Sequence, residues 1–598
     1  MRLCLFWLGL CLLAAPQALA RGGNARPTPA QMREIEREVK RLQEEMRKLG
    51  IYGGTPQEAP PGKEGEGKAK EPKPINCKLP GTKRAAQFSQ EAFPASPLGE
   101  RYAQYVGTCA LGDVVALTQQ LVRFKTVSSE QPAANNPGIA AMGTFLRKWA
   151  KANGFGFRVV GRNDVFELSW GTGAPRLGFI FHGDVFPAAA SEWKSNPFET
   201  RVANGRLYGR GVLDNKGPIA MALVSLAMAR EMGLKPQKGK VLVIIGNDEE
   251  SDWKGMREYA RTEQLPTHAI SMDASYPVVA AQSGFVSLNL VADVEPQGEK
   301  SPGALLPVDL SAGEATTQVP GSATLSLVPT GGMSVEQALR EVQASVKAAR
   351  EERPGLQAEA RAVPVVGIAG GGSRILLTVR GRAADSSSPR QGHNALWDLA
   401  AISDRLTLVE NGMTEMLRLV VRRFDGDHHG ERLGFTESDV LMGPMVSVPT
   451  LLKVSGGKVS LNVNLRRPRS EEGDEDFHQA LDHAVAIIHQ ETDGRVKEGP
   501  GRFVGVPHVA DLTGPLVSTL IDIYRRHHGV RQELPPLSIT GSTYARLFPR
   551  GVDFGPVRPG ESTTAHAPDE SIALEDLGRS TQMLAEALHS LALSVNAR

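Results

Sequence analysis

Val241-Leu-Val-Ile-Ile-Gly-Asn-Asp-Glu-Glu-Ser251 is an unbroken apolar run that stops against three adjacent acids, Asp248, Glu249 and Glu250. A strand apolar at every position is covered on both faces, as in the parallel sheet of an α/β domain. In such sheets ligands bind beyond the carboxyl ends of the strands, which is where the acids stand. A polar turn leaving a core strand would look the same locally. The decision therefore falls to the rest of the chain.

Outward from that run, elements alternate. Strand patterns cover 157–168, 176–181 and 269–272, and an Ala/Met/Leu-rich helix covers 217–232. Helical patterns fill 112–155, with Val114, Val115, Leu117, Leu121 and Val122 on one face and a second helix over 142–152. Alternation of this kind predicts βαβ units around a mainly parallel sheet. After Gly284 the texture changes to alternating strands, as in 286–291 and 375–379, interleaved with helices near 334–350 and 394–408. From about Phe503 the first texture returns, with helices over 512–528 and 571–592 and a strand or turn at 551–557. The expected layout is a first catalytic segment over 112–284, an inserted α+β region of one or two lobes over 285–505, and a closing catalytic segment over 506–598.

The beginning of the chain reads differently. Residues 1–20 have a basic start, a short apolar centre and Ala18-Leu-Ala20, the pattern of a secretory signal peptide. That predicts an exported protein, periplasmic or extracellular. Residues 21–50 hold an amphipathic helix carrying Met32, Ile35, Val39, Leu42 and Met46, residues 51–75 are a Pro/Gly/Lys/Glu linker, and 76–111 form an N-terminal extension. Of four cysteines, Cys77 and Cys109 remain after the signal. An oxidising compartment would permit them to pair, but sequence does not fix their geometry. In the 598 residues, Lys plus Arg total 68 and Asp plus Glu 66, so a net charge of +2 makes no case for nucleic acid or an anionic membrane. No apolar run is long enough for a stable membrane span.

Other acids and histidines also stand at ends of predicted elements. His182 and Asp184 follow a strand in Gly178-Phe-Ile-Phe-His-Gly-Asp-Val-Phe-Pro187. Asp214 lies in Arg206-Leu-Tyr-Gly-Arg-Gly-Val-Leu-Asp-Asn-Lys-Gly217, where Lys216 is followed by glycine, not by the Ser or Thr that a phosphate loop uses to hold magnesium. Asp273 follows a short strand, and His566 lies in Gly560-Glu-Ser-Thr-Thr-Ala-His-Ala-Pro-Asp-Glu570. Mixed His and carboxylate donors suit zinc, with manganese or cobalt also compatible.

As an ordered set, HGDVFP, LYGRGVLDNKG, NDEES, DASYPVVAAQSG and TYARLFPRGVDFGPVRPGESTTAHAPDE resemble the co-catalytic dizinc exopeptidases. That family includes aminoacylase, carboxypeptidase G, acetylornithine deacetylase and the peptidase V-type dipeptidases, and the last two motifs lean toward the dipeptidases. The resemblance spans about residues 112–596 and implies an α/β zinc-peptidase domain interrupted by a lid. It implies that His182 and Asp273 bind one zinc, Glu250 and His566 the other, and Asp214 bridges them. Asp184 would orient His182, and Glu249 would be the general base. Arg466, in Asn464-Leu-Arg-Arg-Pro468, would hold the free carboxylate of a small peptide or N-acyl amino acid, with Arg546 and Asn394 as further substrate contacts. The implied activity is dipeptide hydrolysis by a monomer. The alternatives are N-acyl amino acid deacylation or a weakly active or inactive peptide-binding homologue. One departure stands out: Asp385 occupies a position where the family commonly has an oxyanion-stabilising histidine, and His393, His428 and His429 lie in the same insertion.

Overall fold

The computed structural model describes Cys77 and residues 98–237, 239–295, 303–364, 373–435, 437–470 and 473–594. The expected signal peptide, amphipathic helix and linker, and most of the N-terminal extension, lie outside them. Residues 71–557 and 563–598 belong to one compact unit. Residues 558–562 fall to a second unit and contain an Arg558–Glu561 ion pair of 2.9 Å.

The catalytic sheet is built from β1 (Gly156–Val160), β2 (Val165–Trp170), β3 (Pro175–His182), β4 (Lys240–Gly246), β5 (His268–Ser271), β6 (Val279–Gln282), β7 (His508–Val509), β8 (Leu537–Ile539) and β9 (Gly551–Asp553). Its order is β1-β2-β4-β3-β5-β9-β6-β7, with β8 also paired to β6. The central four strands, β4, β3, β5 and β9, run parallel. Antiparallel pairs flank them, β1 with β2 and β2 with β4 on one side, β9 with β6 and β6 with β7 on the other. The single strand expected over 157–168 is instead a hairpin, because Gly161 and Asn163 adopt left-handed conformations in the turn.

Among the described residues, seven α-helices belong to this half: α1 (Leu98–Cys109), α2 (Leu111–Val122), α3 (Pro137–Ala152), α4 (Lys216–Glu231), α5 (Lys254–Thr262), α6 (Pro515–His528) and α7 (Leu574–Ala592). Helix α3 starts earlier than its apolar pattern indicated. Asn136 caps it by accepting from the N–H groups of Gly138 and Ile139, and Pro137 supplies a preset φ at the first turn. Along β4 successive residues enter different cores. Val241, Val243 and Ile245 pack with the apolar faces of α1–α4, α6 and α7, while Leu242 and Ile244 pack with Met256, Tyr259, Tyr544 and Phe548. That two-sided burial is why the strand carries no polar residue between Lys240 at its start and the acids just beyond its end. Cys77 and Cys109 are joined in a disulfide that ties Cys77 to the end of α1.

The chain leaves this sheet after Gln282, and its next strand, Gly284–Asp293, belongs to a second nine-stranded sheet that is antiparallel throughout. Gln357–Pro364, Ser373–Arg380, Ser322–Pro329 and Leu305–Ala312 make one half, and Val446–Ser455, Lys458–Arg467, Gly284–Asp293 and Lys497–Glu498 the other, joined at Ala312 opposite Leu452. Phe503–Val504 adds to Gly284–Asp293 before the chain returns to the first sheet at His508. Here burial alternates along strands such as Ser373–Arg380, so one face meets the core. Helix Val335–Glu352 begins with a capping box in which Ser334 accepts from the Gln337 N–H and the Gln337 side chain accepts from the Ser334 N–H. Helices Gly412–Arg423 and Asp474–Glu491 also belong to this insertion, and no expectation covered them.

Candidate metal centre

Because β3, β4 and β5 are parallel, their carboxyl ends open on one side. There the chain presents His182 at the end of β3, Glu249 and Glu250 just beyond β4, and Asp273 two residues beyond β5. Asp214 arrives in the loop before α4, and His566 in the loop before α7. Their donor atoms converge in three overlapping sets, His182/Asp214/Asp273, Asp214/Glu250/His566 and His182/Glu249/Glu250, each with all its donor atoms within 4.8 Å of one another.

Asp214 belongs to two of these sets. Its Oδ1 lies 2.7 Å from His182 Nε2, and its Oδ2 lies 3.1 Å from His566 Nε2. Asp273 Oδ1 is 3.8 Å from His182 Nε2, and Glu250 Oε1 is 3.0 Å from His566 Nε2. His182 Nδ1 faces the backbone carbonyl of Asp184 at 3.0 Å, and a carbonyl can only accept, so that nitrogen carries a proton. The Nε2 atom then points at two carboxylates, either as a second N–H or as a lone pair toward a cation. Asp184, Asp214, Glu249, Glu250 and Asp273 outnumber the two imidazoles, and so much buried negative charge calls for cations. The donors thus fit divalent metal, and mixed nitrogen and oxygen ligands fit zinc.

The protein's own charges set strong biases. Burial opposes a charge on His182, but Asp214 and Asp273 outweigh it and hold the imidazole well above its usual range. Burial likewise opposes ionisation of Asp214, yet His182 and His566 hold it well below the carboxylate range. Burial drives Glu249 well above that range against the pull of His182, with Asp273, Glu250 and Asp184 adding to the rise. Burial, then the charge of Asp214, pushes Asp273 up to about 6. On His566 burial opposes protonation, while Glu250 and Asp214 lift the ring to about 11.

Asp184 lies against His182 and also meets the two glutamates. Its carboxylate is 3.6 Å from His182 Nδ1, and its short contacts go elsewhere: it accepts from Ser128 Oγ at 2.6 Å, from the Glu250 N–H at 2.9 Å and from the Glu249 N–H at 3.2 Å. Asp184 thus faces His182 through both its carbonyl and its carboxylate, and the same carboxylate pins the two glutamates through their N–H groups. Asp248, the third acid of the opening stretch, accepts from the Tyr544 hydroxyl and from the Gly255 N–H at 2.5 Å and so fixes the turn. Lys216 is buried with its ammonium donating to the Phe124 carbonyl at 2.6 Å, and burial pushes it down to about 7.

The lid candidates divide. Arg466 is buried, donates to Ser386 Oγ at 3.1 Å, lies over the Phe285 ring at 4.9 Å and faces the charge of the exposed Asp385. The other two substrate contacts are not supported by their bonding. Asn394 spends its oxygen capping Ala395–Ser403 and its NH₂ on the Pro449 carbonyl. Arg546 donates to the carbonyls of Ser283 and Val506 and to Ser542 Oγ. The histidines near Asp385 have lid partners as well. His393 meets Asp398 at 2.7 Å, His429 meets the Met445 carbonyl at 2.7 Å, and His428 lies edge-on to Trp397. Sequence reading passed over Arg210 and Glu570, a buried ion pair between the Asp214 and His566 loops. Both stand inside the quoted motifs, yet their pairing is visible only in three dimensions.

Residues 178–590 match the family described as Peptidase family M20/M25/M40. "Putative dipeptidase YtjP" of Bacillus subtilis (strain 168) is 30% identical over 494 residues, covering 80% of this chain and 97% of its own. The beta-Ala-Xaa dipeptidase of Lactobacillus delbrueckii subsp. lactis is 30% identical over 470 residues, covering 78% and 92%. Among solved structures, human carnosine dipeptidase 1 aligns with 14% identity and a TM-score of 0.49 over 83% of this chain and 99% of its own.

Proposed function

The chain belongs to peptidase family M20/M25/M40 and is a metal-dependent peptide hydrolase, and from that premise we propose that it is an exported dizinc dipeptidase acting on dipeptides or short peptides with a free C-terminal carboxylate. The observation that carries the reading is Asp214, whose two oxygens each face a different imidazole. His182 and Asp273 would hold one ion, Glu250 and His566 the other, with Asp214 shared. Metal ions held there lower the pKa of water and polarise the amide carbonyl.

The protein's own groups account for the rest. Glu249, kept basic by its buried acidic surroundings and held in place through its backbone by Asp184, takes a proton from the attacking water and gives it to the departing amine. Arg466 receives the substrate's carboxylate, a task suited to a buried planar guanidinium. The Cys77–Cys109 disulfide and the pattern of residues 1–20 support export. The lid is supplied within the same chain, which supports a monomer.

Metal content of the purified protein, followed by hydrolysis of dipeptides and N-acyl amino acids with Glu249→Gln as control, tests the proposal. Zinc near two ions per chain with dipeptide cleavage lost in the control is the expected result. Cleavage of acyl amino acids alone would replace it with a deacylase, and bound metal with no hydrolysis of any substrate would replace it with a binding protein.

A further inference from the structure

Arg210 and Glu570 are almost wholly buried, at 1% and 0% exposure, and neither belongs to the metal cluster. Their bonds nevertheless run to three of the loops that carry it. Glu570 Oε1 accepts from the N–H groups of Leu213 at 2.9 Å and Asp214 at 3.0 Å, and its Oε2 accepts from Gly211 N–H at 3.0 Å and Arg210 Nη1 at 2.8 Å. The second guanidinium nitrogen of Arg210, Nη2, donates to the carbonyl of His566 at 3.2 Å and of Pro187 at 3.3 Å. The Asp214 loop, the His566 loop and the segment leaving His182 thus meet on one ion pair.

The local backbone needs such a support. Gly211 has φ +94 and His566 φ +62, and a non-glycine residue in the left-handed region is strained and persists only where its surroundings enforce it. His566 is also half exposed, with its ring stacked on Phe186 at 4.4 Å, so its backbone carbonyl is where it is gripped from inside. Stability alone would not require a buried ion pair, because apolar residues of similar volume often serve as well.

We propose that Glu570 and Arg210 are positioning residues that set the separation between the two halves of the metal cluster, Glu570 by fixing Asp214 and Arg210 by fixing His566. The inference rests on the metallopeptidase reading. Its consequence is asymmetric: Glu570 acts on the carboxylate shared by both ions, whereas Arg210 reaches the half that contains His566.

Zinc alone is titrated into metal-stripped wild type, Glu570→Gln and Arg210→Lys, with bound metal counted after gel filtration and apo folding checked by thermal melting. Glu570→Gln is expected to melt cooperatively and to weaken both binding steps by about 10–100-fold, the usual cost of losing an outer support of metal ligands. Arg210→Lys keeps a cation beside Glu570 but loses the second nitrogen, and is expected to weaken one step and spare the other. Folded variants that both bind zinc within about twofold of wild type would overturn the proposal. If Glu570→Gln fails to melt cooperatively, Arg210→Lys decides alone by the same criterion. Wild type that takes up no zinc would overturn the metallopeptidase reading itself.

Discussion

Both large sheets have nine strands, yet they use their sequence in opposite ways. In the catalytic sheet the central strands run parallel and β4 is buried on both faces, so polarity is excluded from its interior and appears at its end. In the insertion, strands run antiparallel and alternate, so polarity appears at every second residue on the open face. The difference teaches where chemistry can be read from pattern. A two-sided strand concentrates its acids at one address, whereas a one-sided strand scatters polar residues, most of them solvated, and a functional arginine such as Arg466 is hard to tell from its neighbours.

The comparison breaks first on packing. Ile244→Ala and Ile245→Ala lie on opposite faces of β4, and each is expected to cost about 2–5 kcal/mol in unfolding free energy. In the insertion, Leu377→Ala is expected to cost as much and its neighbour Leu376→Ala under about 1 kcal/mol, because only Leu377 is fully buried. Denaturant melts that found Ile244→Ala mild would remove the two-sided reading.

The sheets also differ in their response to pH. Burial, and next the charge of Asp273, pushes the Asp553 carboxyl at the end of β9 up to about 7, above an unfolded value of about 3.9. The folded state therefore holds a proton there that the unfolded chain releases. The contribution is complete below about pH 4 and is lost as pH rises through about 7. Asp553→Asn is expected to flatten that part of the Tm-against-pH curve of the metal-stripped protein. The same slope in variant and parent would assign it to other groups.

On the lid side, Arg466→Lys keeps the charge and loses the fork, so KM for a dipeptide is expected to rise about tenfold with kcat less affected. A C-terminally amidated substrate should show no such difference. An equal loss on both substrates would remove Arg466 from carboxylate recognition. The smallest change is expected at Asp385→His, a several-fold rise in turnover as an opposing charge is replaced by a donor to the developing oxyanion. Unchanged or lower turnover with fold and metal intact would count against that position.

Much of the catalytic half was legible because its signals are local. The apolar run of β4, the acids after it, and His182, Asp214, Asp273 and His566 at ends of elements each announce themselves within a few residues. The hairpin at Gly161–Asn163 escaped because apolar residues continue on both sides of the turn. The supports of the cluster escaped for a different reason: Asp248 meets Tyr544 across 296 residues, and Arg210 meets Glu570 across 360. The partners of Asn394 and Arg546 escaped as well, because a polar residue in a suggestive motif can equally be a helix cap or a clasp, and sequence does not show which groups it meets.

Arg546 grips the Ser283 carbonyl, where the chain leaves the catalytic sheet, and the Val506 carbonyl, where it returns. Away from these crossings, hydroxyl-to-carbonyl bonds join the catalytic half to the insertion, Ser538 to Leu441 and Thr540 to Ser387. Each such bond contributes about 0.5–1.5 kcal/mol, at most a few multiples of thermal energy. One guanidinium thereby ties together the two passages of chain that connect the catalytic half to the insertion.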